Sequence, residues 1–176
     1  MKIDVSTIVG DKAASVDFDF QVQRLPLVFP FAVSGFAEPI RVSGDVTNTG
    51  KYLLVQGEIV TSLRVQCDRC LRSFDYPVDL VFSAEYKKNR PGEDEAALLF
   101  DNEDQVYGYE GSTLDLTQVV EDELAVGMPI KMLCDEECKG LCPRCGHNRN
   151  ESECNCRDDE VDPRLEPLRS LFSTKD

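Results

Sequence analysis

The chain has 176 residues, 41% of them hydrophobic, which is enough for one core plus a small satellite and argues against disorder throughout. Its formal net charge is −14, with 33 acidic against 19 basic residues, a field that repels phosphate and argues against nucleic-acid binding over a broad face. No apolar run is long enough to cross a bilayer, and the opening Met1-Lys2-Ile3-Asp4-Val5-Ser6 lacks the apolar centre of a secretory signal.

In chain order, residues 1–47 read as strands broken by loops. Ile3 and Val5 can open a strand. Val16, Phe18, Phe20 and Val22 alternate with Asp17, Asp19 and Gln21, the period of a half-buried strand. The run Leu25-Pro26-Leu27-Val28-Phe29-Pro30 is apolar but punctuated by proline, so it reads as a weak strand or a packed loop. Ile40, Val42 and Val46 form a further strand, and Asn48-Thr49-Gly50 turns into a long hairpin over 51–86. Its first strand puts Leu53, Val55, Gly57, Ile59, Thr61, Leu63, Val65 and Cys67 on one side. After Cys70 the parity changes, and Phe74, Tyr76, Val78, Leu80, Phe82, Ala84 and Tyr86 take over the apolar side. At the tip, a short turn over Cys67-Asp68-Arg69-Cys70 would point both sulfurs the same way, the shape of a metal knuckle. Arg64, Arg69 and Arg72 cluster near that tip, and Lys87, Lys88 and Arg90 follow the second strand. A solvated face is the plainer reading of both clusters, and the tip arginines are the candidates for contact with a partner.

Over 87–111 the alternation stops. Seven acidic residues (Glu93, Asp94, Glu95, Asp101, Glu103, Asp104, Glu110) and a Pro-Gly pair make this a mobile acidic loop with at most a short strand in it. A helix is predicted over 113–127. Ser112 or Thr113 can cap it, Asp115 suits the positive end of the helix dipole, and Leu116, Val119, Val120 and Leu124 fall at helical spacing before Gly127 and Pro129 end it. Cys134 to Cys156 then holds six of the eight cysteines in 23 residues with little apolar content, so this segment needs a staple that metal can supply. Beyond it, Asp162 to Phe172 suggests a short terminal helix with Leu168, Leu171 and Phe172 as a docking face. The expected class is α+β: a mainly antiparallel β-sheet or partly open barrel with one amphipathic helix over 1–133, then a zinc-binding segment over 134–176.

The expected compartment is the cytoplasm, where reduced thiols more often hold metal or do redox work than form structural disulfides. Cys142-Pro143-Arg144-Cys145-Gly146 is the strongest single motif, because the glycine lets the backbone turn back and offer amides to the thiolate. Its partner pair is most simply Cys154-Asn155-Cys156, with His147 as an alternative ligand. Cys67, Cys70, Cys134 and Cys138 remain, and a tetrahedral structural site needs four ligands, so they form a candidate second zinc site tying the hairpin tip to the tail. A competing assignment places Cys138 with the C-terminal cluster. Redox catalysis is disfavoured, since the first pair sits between strands and Asp68 beside it opposes a thiolate. No Gly-rich phosphate loop and no G-x-S-x-G motif is found, and a single histidine leaves little for acid-base chemistry, so no enzyme and no small-molecule substrate is expected. A zinc-dependent adaptor in transcription or another assembly, and a thiol sensor that releases zinc on oxidation, are the alternatives from other classes.

Several of these pieces occur together in one family. Cys67-Asp68-Arg69-Cys70-Leu71-Arg72-Ser73-Phe74, the run from Leu114 to Leu124, Met128-Pro129-Ile130, the run from Cys138 to Asn150, Cys154-Asn155-Cys156 and Asp162-Pro163-Arg164-Leu165 resemble the bacterial YceD family. These are large ribosomal RNA subunit accumulation proteins, and the resemblance runs from about residue 15 to the C-terminus. It implies a role in accumulation or processing of large-subunit ribosomal RNA, linked to ribosome assembly, with chloroplast relatives similar in role. No catalytic residues are implied. The family's short version lacks the C-terminal cysteine cluster, which implies that Cys142 to Cys156 is dispensable for what the family shares. The charge of the chain then favours action through ribosomal proteins or RNA-processing factors, with any ribosomal RNA contact confined to Arg64, Arg69 and Arg72.

Overall fold

Two-residue periodicity becomes sheet wherever one side of a strand can be buried. The computed structural model describes residues 1–26, 33–89 and 106–156. Its elements are β1 (Lys2–Asp4), β2 (Ser15–Val22), β3 (Val33–Phe36), β4 (Ile40–Asn48), β5 (Leu53–Gln66), β6 (Ser73–Lys88), β7 (Val106–Tyr109), β8 (Thr113–Asp115) and one helix, α1 (Thr117–Gly127). Leu27 to Pro30, Arg90 and most of the expected acidic loop, and the expected terminal helix lie outside the described residues.

The main sheet runs in the order β2-β4-β5-β6-β7 and is not closed, while β1 and β8 pair separately as a two-stranded ribbon. β5 and β6 form the expected hairpin, paired antiparallel from Leu53↔Tyr86 to Gln66↔Ser73. β4 covers the first half of β5, from Asn48↔Leu53 to Arg41↔Val60, and β3 takes over at Leu63 to Val65. Only β7 runs parallel to its neighbour, pairing with β6 from Glu85↔Val106 to Lys88↔Tyr109. Thus Lys87 and Lys88 belong to β6, not to a loop, and residues 106–109 form a strand. β3, β7 and β8 are too short for a periodicity to register, and their partners are distant in sequence.

The inward side follows the expected parity: Leu53, Val55, Ile59, Leu63 and Val65 of β5 and Val78, Phe82, Ala84 and Tyr86 of β6 are buried. Ile40, Val42 and Val46 of β4 join them, and α1 adds Val119, Val120 and Leu124. The helix begins later than its sequence suggests. Ser112 and Thr113 do not cap it, because Thr113–Asp115 pairs with Lys2–Asp4 as strand instead. Asp115 stands just before the first turn and accepts hydrogen bonds there from the Thr117 amide at 2.9 Å and the Thr117 hydroxyl at 2.6 Å. Helix and sheet are joined by two stacked tyrosines, with ring centroids 5.2 Å apart. Tyr86 donates to the Asp115 carbonyl at 3.2 Å and Tyr107 to the Asp122 carboxylate at 3.0 Å. Burial raises the pKa of both phenols, so they stay protonated and keep donating. Among the described residues no helix is long and apolar enough to cross a membrane.

Two candidate metal centres

The tip of the β5–β6 hairpin is a tight turn in which the Leu71 amide donates to the Cys67 carbonyl at 2.9 Å. Cys67 and Cys70 both turn inward and are buried. The segment after α1 is pulled onto this turn by Asp68. Its amide donates to the Met132 carbonyl at 2.9 Å, and its carboxylate accepts from the Met132 amide at 2.7 Å. That contact delivers Cys134 and Cys138 to the tip. Cys67 Sγ lies 3.8 Å from Cys138 Sγ, and Cys70 Sγ lies 3.5 Å from Cys134 Sγ. All four sulfurs fall within 4.8 Å of one another. Cys142, Cys145, Cys154 and Cys156 make a second set to the same limit. Cys138 therefore stands with the hairpin, not with the C-terminal cluster. His147 stands in neither set; its Nε2 lies 2.7 Å from Ser152 Oγ.

Either set could hold a metal ion. Four sulfurs at about 2.3 Å around a tetrahedral zinc would be about 3.8 Å apart, close to the spacings at the first set. The donors around the sulfurs also suit thiolates. Burial alone would raise the Cys67 pKa, but the amides of Cys134, Cys70 and Arg69 point at its sulfur and bring it down to about 6. The amides of Cys145 and Arg144, with the Cys154 thiol, lower Cys142 to about 6 in the same way. The remaining sulfurs feel this charge. Burial and the neighbouring thiols push Cys134 up to about 12, and the Cys145 thiol together with burial does the same to Cys156. Four thiols this close cannot all ionise without a cation between them, and a divalent ion removes that conflict. The expected opposition of Asp68 to a thiolate does not hold. Its carboxylate is turned to the Met132 amide, and the backbone donors decide the ionisation of Cys67.

The two Cys-x-x-Cys turns share one backbone shape. In each, the amides two and three residues after the first cysteine point at its sulfur, and the residue after the second cysteine is left-handed. At Gly146 φ is +71°, as the sequence anticipates; at the hairpin tip the same place is held by Leu71 at +59°. A leucine there carries a steric penalty of about 1–2 kcal/mol that glycine avoids at a smaller entropic cost. Leu71→Gly should keep the metal content and raise stability by about 0.5 kcal/mol, read from urea midpoints, whereas Leu71→Val should lower it. Equal midpoints for all three would remove the strain argument.

Sequence reasoning missed the residues that join the two sets. Asn150 stands between Cys145 and Cys154, yet its Nδ2 donates to Cys138 Sγ at 3.3 Å and its Oδ1 accepts from the Lys139 amide at 2.7 Å. Gly140, at φ +72°, sends its amide to the same sulfur, while the Leu141 amide donates to the Arg69 carbonyl at 3.0 Å. The Cys138-Lys139-Gly140 run carried a signal for this turn, since a glycine two residues after a cysteine, like the one directly after Cys145, permits a left-handed turn.

The tip arginines divide. Arg64 pairs with Asp75 through Nε at 2.9 Å and Nη2 at 3.2 Å. Arg69 is exposed but reaches across to the neighbouring segment, its Nη1 donating to the carbonyls of Glu136 at 3.2 Å and Cys138 at 2.9 Å, so it fastens the second sulfur pair to the first. Arg72 is exposed.

Exposure separates the two sets as well. Cys67, Cys70 and Cys138 are buried, whereas in the second set only Cys142 is, and Cys145 is exposed. Iodoacetamide should therefore label Cys145 first and the half-buried Cys154 before Cys67 or Cys70, followed by peptide mass mapping over time. Equal labelling of Cys67 and Cys145 would contradict the burial seen here.

The family model described as large ribosomal RNA subunit accumulation protein YceD matches residues 55–172. The chain is 27% identical over 155 residues to the chloroplastic large ribosomal RNA subunit accumulation protein YCED homolog 1 of Arabidopsis thaliana, a match covering 76% of this chain and 48% of the relative. It is 25% identical over 139 residues to YlbN of Bacillus subtilis, covering 78% of this chain and 77% of that one. It is 29% identical over 127 residues to Rv2926c of Mycobacterium tuberculosis, covering 72% and 59%. The chain thus spans about half of the chloroplast relative's length. No solved structure matches it. The matched region takes in both candidate centres and most of the central hairpin, well over half of the sequence, and the chain belongs to the YceD family of large ribosomal RNA subunit accumulation proteins.

Proposed function

We propose that this protein is a cytoplasmic, non-catalytic zinc-binding factor that supports accumulation of large-subunit ribosomal RNA during ribosome assembly, acting mainly through basic protein partners. The family match over residues 55–172 carries the ribosomal part of this reading. The metal part rests on eight cysteines falling into two closed sets of four. Two sets of four soft thiolate ligands, each gathered within 4.8 Å, favour zinc in a structural role, because a catalytic zinc keeps a position open for water or substrate. In this reading residues 1–133 are the β framework and 134–176 a zinc-held extension rooted in the hairpin tip.

Charge supports a protein partner. The solvent side of the main sheet carries Asp17, Asp19, Asp45, Glu58, Asp75, Asp79 and Glu85, while Arg41 is paired with Asp19 at 2.7 Å and Arg64 with Asp75 at 2.9 Å. Such a face attracts the basic proteins of the ribosome and repels its RNA. Arg64 and Arg69 have structural partners, so Arg72 is the tip arginine best placed for a local RNA contact. The test is sedimentation of cell extract through a sucrose gradient. The protein should travel with large-subunit precursor particles, and brief RNase treatment that leaves protein contacts intact should not release it. A protein confined to the top fractions would overturn the ribosomal reading, and release by that RNase treatment would overturn the protein-partner version.

A further inference from the structure

A short apolar stretch from the last turn of α1 into the segment that follows is held out to solvent by a backbone fixed at both ends. Val126 is 84% exposed and Ile130 fully exposed, with Met128 and Pro129 between them. At one end Gly127 packs so closely on Leu80 that a Cβ would sit 2.5 Å from Leu80 Cδ1. At the other end Met132 is buried and exchanges two hydrogen bonds with Asp68. Its exposure is therefore not fraying. A large aliphatic side chain presented this way has already lost its backbone freedom, so covering it costs little further order.

The surroundings select what covers it. Between residues 121 and 137 there are six acidic residues (Glu121, Asp122, Glu123, Asp135, Glu136, Glu137) and one basic residue, Lys131, while Arg69 of the hairpin tip is held by the Glu136 and Cys138 carbonyls. Asp122 and Glu123 lie one turn before Val126, on the same side of the helix. The last turn of α1 contains no basic residue, so the negative end of its dipole faces this region uncompensated. An apolar knob in a negative field rejects a nucleic-acid backbone and an anionic membrane alike.

We propose that Val126 and Ile130 form a docking surface for a lysine- and arginine-rich protein segment that carries an aliphatic or aromatic anchor. This names the contact surface for the basic partner proposed above and rests on that reading for the partner's origin. The anchor covers Ile130 and Val126, and the basic side chains meet the acidic residues on either side. Apolar contact at the centre supplies most of the affinity, and charge sets the encounter rate and the preference for basic sequences.

The test uses fluorescent peptides tiled across the basic proteins of a bacterial large ribosomal subunit, with an oligolysine peptide and a single-stranded RNA oligonucleotide as further probes. Binding to the zinc-loaded full chain is read by anisotropy. Tiles that combine basic residues with an apolar anchor should bind, and their affinity should fall at least about tenfold in V126S/I130S. Oligolysine should bind weakly and lose little in the same variant. Both side chains are exposed, so the variant should keep its zinc content and circular dichroism, which are measured alongside. The proposal is overturned if no tile binds, if V126S/I130S binds the tiles as the parent does, or if the RNA oligonucleotide binds best and loses its affinity in V126S/I130S. Gradient sedimentation separates this from the ribosomal reading. If both forms travel equally with precursor particles, the surface is wrong and the ribosomal reading stands. If the parent stays at the top of the gradient yet binds tiles through Val126 and Ile130, the surface stands and the ribosomal reading falls.

Discussion

With zinc in both sets as proposed, replacing Cys67 and Cys70 together by serine should lower bound zinc from two ions per chain to one and detach residues 132–142 from the hairpin tip. The four sulfurs of this set come from two segments, which are also joined by the Asp68–Met132 exchange, the Arg69 and Leu141 hydrogen bonds and the packing of Leu133 and Leu141 against the sulfur cluster. Structural zinc sites in small peptides contribute on the order of 10–16 kcal/mol of apparent binding free energy, as much as the stability of a whole domain. Losing one should therefore unfold what it closes. The sheet core does not include the sulfurs, so circular dichroism should show strand retained. Metal analysis and amide hydrogen exchange give the answer. Two zinc ions still bound, or unchanged exchange over 132–142, would refute the assignment.

The two centres should not load independently. Cys142→Ser with Cys145→Ser should remove the second ion and also weaken the first, because Asn150 reaches Cys138 Sγ from the loop between the two halves of the second set. Asn150→Ala isolates that link: both ions should remain, with the first held about 10–100-fold less tightly in chelator competition. Proton release gives a further reading. Near neutral pH Cys67 and Cys142, lowered to about 6, are ionised, while Cys134 and Cys156, raised to about 12, keep their protons. Metal must expel those protons, so loading should acidify an unbuffered sample, and affinity should fall as pH is lowered.

What the sequence revealed and what it concealed follow from the range of the interactions. The hairpin was legible because each strand buries one side along its whole length, and the sulfur pairs because Cys-x-x-Cys is a local shape. The helix start was misread at Thr113 because capping residues also suit turns, and the competing partner was β1, more than 100 residues away. β3 escaped for the same reason, and β7 showed only as an unplaced short strand within 87–111, since neither has enough residues to show a period and they pair with β5 and β6. The division of the cysteines was open in sequence between two assignments for Cys138. It is resolved by Asp68 and Arg69, two polar residues inside the first knuckle that hold the second segment in place. The link that Arg69 makes to the second segment had no local signature, because the carbonyls it serves are distant in sequence.

Gly57 shows the same limit from within the hairpin, and its replacement should produce a large loss of stability in the sheet. In sequence it fills an ordinary position on the apolar side of β5. In the fold it stands opposite Gly44 of β4 and Phe82 of β6, and Gly44 in turn stands opposite Phe18 of β2. Two glycines thus sit side by side between two buried aromatic residues. A Cβ on Gly57 would lie 2.7 Å from the Ser43 carbonyl oxygen and 2.9 Å from Phe82 Cε1. The ring could move, but the carbonyl belongs to the β4–β5 ladder and cannot retreat without breaking pairing. Gly44 is tighter still, its Cβ running into the Gln56 carbonyl and the Gly57 backbone. Gly57→Val should cost about 3 kcal/mol or more, a large share of the stability of a single domain. Phe82→Leu in the Gly57→Ala background separates the two contacts. If the ring is the obstacle, the double variant recovers much of the loss; if the Ser43 carbonyl is, it recovers little, and the structure favours the second result. Urea midpoints of the three variants decide between them, and a Gly57→Val midpoint equal to the parent's would mean that β4 and β5 do not approach as described.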